Sequence, residues 1–187
     1  MPNLHVVVCS TRPGRVGPTI ANWFHGLAQQ HGKFEARLVD LAEVNLPLYD
    51  EPHHPRLRQY THEHTKRWSA TVDAADAFAF VTPEYNFSPP PALVNALDYV
   101  FHEWAYKPCA FVSYGGTSGG LRCVQAAKLM VTTLKMMPMM ETVSLPFFSK
   151  HVENGAFKAD EAHEKTATAM LDETFRWAEA LKVLRAK

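Results

Sequence analysis

Hydrophobic and polar positions near the start of the chain predict a buried strand, a loop and a helix. Val6, Val7, Val8 and Cys9 form an unbroken apolar run, as expected of a strand covered on both faces in a parallel sheet. After Ser10 the apolar positions recur with helical spacing instead. These positions are Val16, Ile20, Trp23, Phe24, Leu27 and Ala28. Strand therefore gives way to helix across one short loop.

The rest of the chain repeats this alternation. Residues 34–41 alternate between apolar and polar and predict a half-exposed edge strand, and residues 41–60, with three prolines, predict a long loop. Apolar runs predict three further strands, at 77–81, at 108–113 and within 141–147. Helical spacing predicts four further helices, at 61–74, at 91–104, around Val124 with a stop at Pro138, and at 159–185. The inner side of the last helix is predicted to consist of Met170, Trp177, Leu181 and Leu184.

Five strands alternating with five helices predict an α/β fold: a three-layer sandwich around a five-stranded parallel sheet with right-handed crossovers. The length of 187 residues fits a single domain, 1–187. In open parallel sheets, ligands bind at the carboxyl ends of the strands near a topological switch point. The loops after strands one, three and four are therefore expected to line one crevice. They comprise residues 10–15, 83–86 and 113–120.

The first of these loops has the chemistry of an anion site. A helix that begins just after a strand offers unpaired backbone N–H groups and the positive end of its dipole. Ser10 and Thr11 add hydroxyl donors, and Arg12 and Arg15 add charged donors suited to a phosphate. No G-x-x-x-x-G-K-[ST] or G-x-G-x-x-G motif is present, which disfavours an ATPase or a Rossmann NAD enzyme. By itself the loop also fits an ordinary turn with solvated arginines.

Composition narrows the expected partners. Nineteen Lys and Arg balance nineteen Asp and Glu, which argues against nucleic acid as a partner. The three cysteines lack C-x-x-C spacing, and we expect them to be reduced. With no apolar run of membrane-spanning length and a strand predicted close to the first residue, we expect a cytoplasmic protein without membrane association. His53, His54, His62 and His64 lack the ligand pattern of a metal site, so none is predicted.

Three motifs in order along the chain resemble a known family. They are S-T-R-P-G-R-V-G from Ser10, P-E-Y-N from Pro83 followed by L-V-N-A-L-D, and S-Y-G-G-T-S-G-G-L-R from Ser113. Together they resemble the NADPH-dependent FMN reductases, flavodoxin-like proteins that include quinone, chromate and azo-dye reductases. The resemblance implies strand order 2-1-3-4-5, non-covalently bound FMN at the switch point, NAD(P)H as co-substrate, and a homodimer or homotetramer.

The resemblance also implies roles for individual residues. Around the FMN phosphate it places Ser10, Thr11, Arg12, Arg15, Gly17 and Ile20, and with them Pro18 and Thr19 at the helix entry. Beside the isoalloxazine ring it places Pro83, Glu84, Tyr85 and Asn86, and near its pyrimidine end Ser113, Tyr114, Gly115 and Gly116. Because the chemistry belongs to flavin N5, no catalytic side chain is predicted; Asn86 and Tyr114 are candidates for orienting substrate or flavin.

The predicted function is a ping-pong oxidoreductase. NAD(P)H would give a hydride to the flavin, and a quinone-like acceptor or free flavin would then take two electrons. A flavodoxin-type electron carrier is the alternative, although the balanced charge and the two loop arginines favour the reductase. A fold that has lost its flavin and serves as a scaffold is a third possibility. Arg58, Arg67 and Lys107 are each candidates for reading a nucleotide 2'-phosphate, and the sequence selects none of them.

Overall fold

The sheet has the predicted order. The structure, a computed structural model, describes residues 1–185 and contains one five-stranded parallel sheet ordered β2-β1-β3-β4-β5. Its strands are β1 (Asn3–Val8), β2 (Glu35–Asp40), β3 (Ala77–Pro83), β4 (Pro108–Gly115) and β5 (Met137–Pro146). The chain crosses from β2 past β1 to β3, so the switch point lies between β1 and β3.

Helices cover both faces of the sheet, which confirms the three-layer sandwich. They are α1 (Gly17–His31), α2 (Leu41–Val44), α3 (Glu63–Asp73), α4 (Pro91–Asp98), α5 (Leu121–Thr133) and α6 (Glu161–Arg185). One apolar core packs α1 and α6 against the sheet through residues such as Phe24 and Met170. The other packs α3, α4 and α5 through Trp68, Leu97 and Val124. Cys9, Cys109 and Cys123 are buried free thiols, as expected.

Two helix ends differ from the prediction. The helix from Pro91 ends at Asp98, and a separate short turn, His102–Trp104, places Trp104 in the core. α5 ends at Thr133, and Pro138 is the second residue of β5, so proline does not stop that helix. A proline is tolerated there because β5 is an edge strand, where the missing N–H removes no necessary ladder bond.

The buried face of α6 is also different from the predicted one. Of the four predicted positions only Met170 is buried; Trp177 and Leu181 are half-buried, and Leu184 is 55% exposed. The face that meets the sheet instead uses mostly smaller side chains at helical spacing, namely Ala167, Met170, Leu171, Thr174 and Ala178. Trp177 lies at the rim, where its indole N–H donates to Glu173. Small residues let the helix approach the sheet closely, while larger ones cover its edge.

A β-hairpin between β5 and α6 was not predicted. Its strands, β6 (Val152–Glu153) and β7 (Ala156–Phe157), pair antiparallel around Asn154 and Gly155, which have φ angles of +48° and +76°. Asn-Gly is the strongest short sequence signal for such a turn, so the information was present in the chain. The short helix α2, capped by the Asp40 side chain, likewise interrupts the predicted loop 41–60. Within residues 1–185, no helix has the length and apolar character needed to cross a membrane.

Candidate active site

The loops after β1, β3 and β4 meet at one edge of the sheet, as expected. They enclose a cavity of about 320 Å³, within the size range of small-molecule sites. Its lining comprises Arg12, Arg15, Val16, Pro83, Glu84, Tyr85, Tyr114, Gly115, Gly116, Phe147, Phe148 and Ser149. Thr11 instead faces a neighbouring cavity of about 430 Å³ beside α2 and α4. Eight of the sixteen predicted residues therefore line this cavity, namely Arg12, Arg15, Pro83, Glu84, Tyr85, Tyr114, Gly115 and Gly116.

Gly17 brings the N-terminus of α1 against the ends of β1 and β4. A Cβ atom at this position would lie 2.2 Å from the Ser10 hydroxyl oxygen and 2.9 Å from the Tyr114 hydroxyl oxygen. Neither distance is compatible with a side chain, so close approach requires glycine here. Pro18 follows in the first helical turn, where its missing N–H has no intrahelical partner. Ile20 is buried beneath the loop, and the Thr19 hydroxyl donates to the Gly155 carbonyl.

Ser10 provides a buried hydroxyl. Within residues 1–185 it makes no hydrogen bond of regular geometry, and the Tyr114 hydroxyl is the hydrogen-bonding group near it. Such atoms are rare in folded proteins, because desolvating a hydroxyl without a hydrogen bond is costly. The Ser10 hydroxyl lies directly beside the first residue of α1. This environment suits an anion bound at the helix N-terminus.

Arg15 is held by Asp40 at the end of β2. Two guanidinium nitrogens each lie 2.6 Å from a separate carboxylate oxygen, and one of them also donates to the Ser10 carbonyl. The hydrogen bonds to Asp40 raise the pKa of Arg15, so the guanidinium stays charged. Three of its five N–H donors are used in these bonds, which leaves two for a ligand. Asp40 therefore positions Arg15 and also offsets its charge.

Arg12 presents a less constrained positive charge. Its side chain is exposed at the cavity wall, and the hydrogen bond found for it within the described chain is a long one to the Pro13 carbonyl. The two loop arginines thus differ: Arg15 is paired with Asp40, whereas Arg12 is exposed and has no carboxylate partner among residues 1–185. The sequence pattern does not distinguish them, because the Asp40 partner of Arg15 is 25 residues away along the chain.

The second loop is a tight turn with an unusual backbone. Tyr85 and Ser88 exchange two backbone hydrogen bonds, and the central residues Asn86 and Phe87 have φ angles of +50° and +66°. A bulky residue in this conformation is strained. The exposed Phe87 ring is covered by the Arg122 guanidinium, 3.7 Å from its centroid. Asn86 lies at the exposed tip and does not line the cavity, so its orienting role stays a prediction.

Glu84 ties this loop to the third one. Its carboxylate accepts hydrogen bonds from the backbone N–H groups of Arg122 and Cys123 and from the side chains of Ser118 and Arg122. Burial alone would raise the pKa of Glu84, but these hydrogen bonds and the Arg122 charge outweigh it and lower the pKa. The ionised carboxylate thus caps α5, and its contribution to the site is to position the loops.

The third loop contributes backbone atoms and one aromatic side chain, that of Tyr114, to the cavity lining. Tyr114 is buried at the end of β4, and its burial raises its pKa. Its ring packs edge-on against Phe148, with centroids 5.1 Å apart. A Cβ on Gly116 would meet nothing within 4 Å, so the backbone there is open to a ligand. Ser113 supports the loop from below by donating to the Gly119 carbonyl.

Comparison with known proteins identifies the family. The sequence model of the NADPH-dependent FMN reductases matches residues 2–150. The chain belongs to this family. An NAD(P)H-dependent FMN reductase of Schizosaccharomyces pombe is 42% identical over 149 residues, which cover 78% of this chain and 74% of that protein. A quinone reductase of Pseudomonas putida is 33% identical over 137 residues, 70% of each chain.

Structural comparison agrees on the fold. The flavoenzyme FerB of Paracoccus denitrificans, an NAD(P)H:(acceptor) oxidoreductase, superposes with a TM-score of 0.75 at 23% identity, over 96% of this chain and 98% of FerB. The flavodoxin-like fold is confirmed by this match. Membership of the NADPH-dependent FMN reductase family makes the chain an oxidoreductase that uses FMN and NAD(P)H.

The cavity fits FMN on structural grounds. The buried Ser10 hydroxyl beside the helix N-terminus, the two remaining donors of Arg15 and the exposed charge of Arg12 are suited to a phosphate at the start of α1. The open space at Gly116 and the aromatic side chains of Tyr85 and Tyr114 in the lining are suited to a planar ring. These assignments come from this chain's own donors and spaces.

Two parts of the lining were not predicted. Val16 is the residue before α1, and Phe147, Phe148 and Ser149 follow β5. Phe147 has a φ angle of +47°, and its N–H donates to the Gly116 carbonyl, which binds this segment to the third loop. The place of this segment in the chain could have indicated its role. Because β5 is parallel to the other strands, the residues that follow β5 lie at the same edge of the sheet as the three loops.

Among the three candidates for a 2'-phosphate contact, Lys107 is unsuitable. Its ammonium is buried and donates to the carbonyls of Val72 and Asp73 at the end of α3. Burial lowers the pKa of Lys107 to about 8. Arg58 and Arg67 are both exposed, and their role in nucleotide recognition stays a prediction.

Proposed function

We propose that this protein passes a hydride from NAD(P)H through bound FMN to a quinone-like acceptor or to free flavin, in two separate half-reactions at one site. The observation that carries the proposal is the cavity that Arg12 and Arg15 line at the start of α1, with the buried Ser10 hydroxyl beside the first residue of that helix. The names of its relatives, which include a quinone reductase, support the choice of acceptor.

The chain's own residues would bind and orient. Ser10, Arg12 and Arg15 would hold the phosphate, and the backbone of residues 83–86 and 115–116 would run beside the ring. Tyr114 and Phe148 would exclude water from one side of the cavity. FMN itself supplies two-electron redox chemistry at N5 when bound. Glu84 is fully engaged in hydrogen bonds, so we expect protons to come from water.

Assembly and location remain proposals as well. We expect a homodimer or homotetramer in which a second copy helps to close the flavin site, as the family resemblance implies. Light scattering of the FMN-loaded protein would give the number of copies. The cytoplasmic location and the single-domain organisation of residues 1–187 also stay predictions.

Arg12→Ala is expected to weaken FMN binding by about tenfold to a hundredfold, since a charged hydrogen bond contributes about 1.5 to 3 kcal/mol. Riboflavin, which lacks the phosphate, should bind the variant and the parent equally. Flavin fluorescence titration with both ligands measures this difference. Arg176→Ala is the matched control, because this exposed α6 residue carries the same charge and does not line the cavity.

Arg15→Ala should weaken FMN binding at least as much, because it also leaves the Asp40 carboxylate without its cation. Restored FMN affinity in the double variant Arg15→Ala, Asp40→Asn would identify that unpaired charge as part of the loss. Unchanged FMN affinity in both single arginine variants would place the phosphate elsewhere.

A further inference from the structure

Three metal-ligating side chains converge outside the flavin cavity, between β5 and α6. His151 ends the short helical turn Phe148–His151, Asp160 directly precedes α6, and His163 lies in the first turn of α6. One ligand atom from each residue lies within 4.8 Å of those of the other two. Of the residues described, these are the ones that form a group of this kind; His53, His54, His62 and His64 do not.

The donor set and the spacing suit a divalent transition metal. Asp160 Oδ1 and His163 Nδ1 are 3.1 Å apart, which is the separation of two adjacent ligands when each bond is about 2.0–2.2 Å. The rings of His151 and His163 are nearly perpendicular, with centroids 4.9 Å apart. Two imidazoles and one carboxylate form a common protein ligand set for Zn²⁺.

Helix capping explains only part of the cluster. The His163 N–H donates to Asp160 Oδ1, and the Asp160 N–H points to His163 Nδ1 at 3.3 Å, a reciprocal cap at the start of α6. His151 has no place in that cap. The hairpin holds it there, since Val152 pairs with Phe157 and the Lys158 N–H donates to the His151 carbonyl at 2.7 Å.

The surroundings favour binding. His163 is largely covered, whereas the Asp160 side chain is 54% exposed and leaves an entry path with space for water ligands.

We propose that His151, Asp160 and His163 bind one divalent metal ion of the zinc class, with water completing the coordination. Such an ion would link the hairpin to α6. It would also fix the short turn in which Phe148 and Ser149, two residues of the cavity wall, precede His151. The site is structural and separate from the flavin, so it does not depend on the proposed redox activity.

Metal binding to the whole chain tests this, with any purification tag removed and bound metals stripped by a chelator. Titration with Co²⁺ should give saturable visible absorption at one ion per chain, and Zn²⁺ should displace it. His151→Gln, which leaves the α6 cap intact, and His163→Ala should each weaken Co²⁺ binding by about tenfold or more. The double variant His62→Ala, His64→Ala is the control, because that stacked pair lies beside Asp50 in a similar surface arrangement.

Thermal unfolding provides a second measurement. Zn²⁺ should raise the Tm of the parent protein and of the control variant but not that of His151→Gln. Three results would overturn the proposal: no saturable Co²⁺ binding at millimolar concentration, parental affinity in His151→Gln, or loss of binding in the His62, His64 variant alone.

Discussion

Gly17→Ala is expected to lower FMN affinity by about a hundredfold, which corresponds to losing two hydrogen bonds to a charged group. The new methyl group would lie 2.2 Å from the Ser10 hydroxyl oxygen and 2.9 Å from the Tyr114 hydroxyl oxygen; because both side chains are buried, we expect the start of α1 to move away from them. That shift separates the helix N–H groups from Ser10 and Arg15. We expect a loss of stability of about 1 to 3 kcal/mol as well, because the site is overpacked. FMN titration and urea unfolding measure the two effects.

The same helix offers a matched control. A Cβ on Gly26 would meet nothing within 4 Å, and alanine is favoured over glycine inside a helix by roughly 0.5–1 kcal/mol. Gly26→Ala should therefore stabilise the protein and leave FMN affinity unchanged. If Gly17→Ala binds FMN as the parent does, the close approach of α1 to Ser10 is not what forms the phosphate site.

Glu84→Gln is expected to destabilise the protein by about 2 kcal/mol at pH 7, because a buried, charged cap of α5 is lost. The backbone N–H groups of Arg122 and Cys123 already share one oxygen of Glu84, so in the amide the NH2 group would face the Arg122 side chain and the Ser118 hydroxyl, which need an acceptor. The turn at residues 85–88 should also loosen, since Arg122 would no longer be held over Phe87. Urea unfolding of the parent and the variant measures the free-energy difference.

The difference in unfolding free energy between the parent and Glu84→Gln should increase with pH. The folded-state pKa of Glu84 is lower than its ordinary value of 4.5, so its ionised form stabilises the fold above that pH. The stabilisation is lost as the pH falls through the folded-state pKa. Parent and variant should therefore converge in acid and differ most at neutral pH. Glu63→Gln, which removes an exposed carboxylate from an i,i+3 pair, should show little difference at any pH. A constant gap for Glu84→Gln across this range would contradict the proposed cap.

Much of the cavity lining can be predicted from the sequence, because each of the three loops directly follows a strand that the apolar pattern predicts. The apolar runs ending at Cys9, Val81 and Ser113 predict parallel strands, and parallel strands deliver their following loops to one edge. The family motifs then imply the strand order that the structure has. The apolar patterns of the strands, together with the rule that parallel strands bring their following loops to one edge, were sufficient to predict which three loops line the cavity.

The remaining features depend on contacts between distant residues. Arg15, in the loop after β1, pairs with Asp40 at the end of β2, and no rule of sequence spacing relates these two positions. Phe148 reaches the cavity because a turn after the edge strand folds back over Tyr114. The family motif places Glu84 beside the flavin ring, which stays a prediction, but it gives no indication that the Glu84 carboxylate accepts hydrogen bonds from the start of α5. In each case tertiary packing, which periodicity does not report, decides what the side chain does.

Anaerobic mixing of the FMN-loaded protein tests the proposed function most directly. NADPH or NADH alone should bleach the visible flavin absorption, and, once the nucleotide has been removed, a quinone should restore it in a separate step. Arg12→Ala loaded with FMN should repeat both steps, since that residue is proposed to bind the phosphate alone. A protein that takes up no FMN, or whose bound FMN neither nucleotide reduces, as in an electron carrier supplied by a partner protein, would contradict the account.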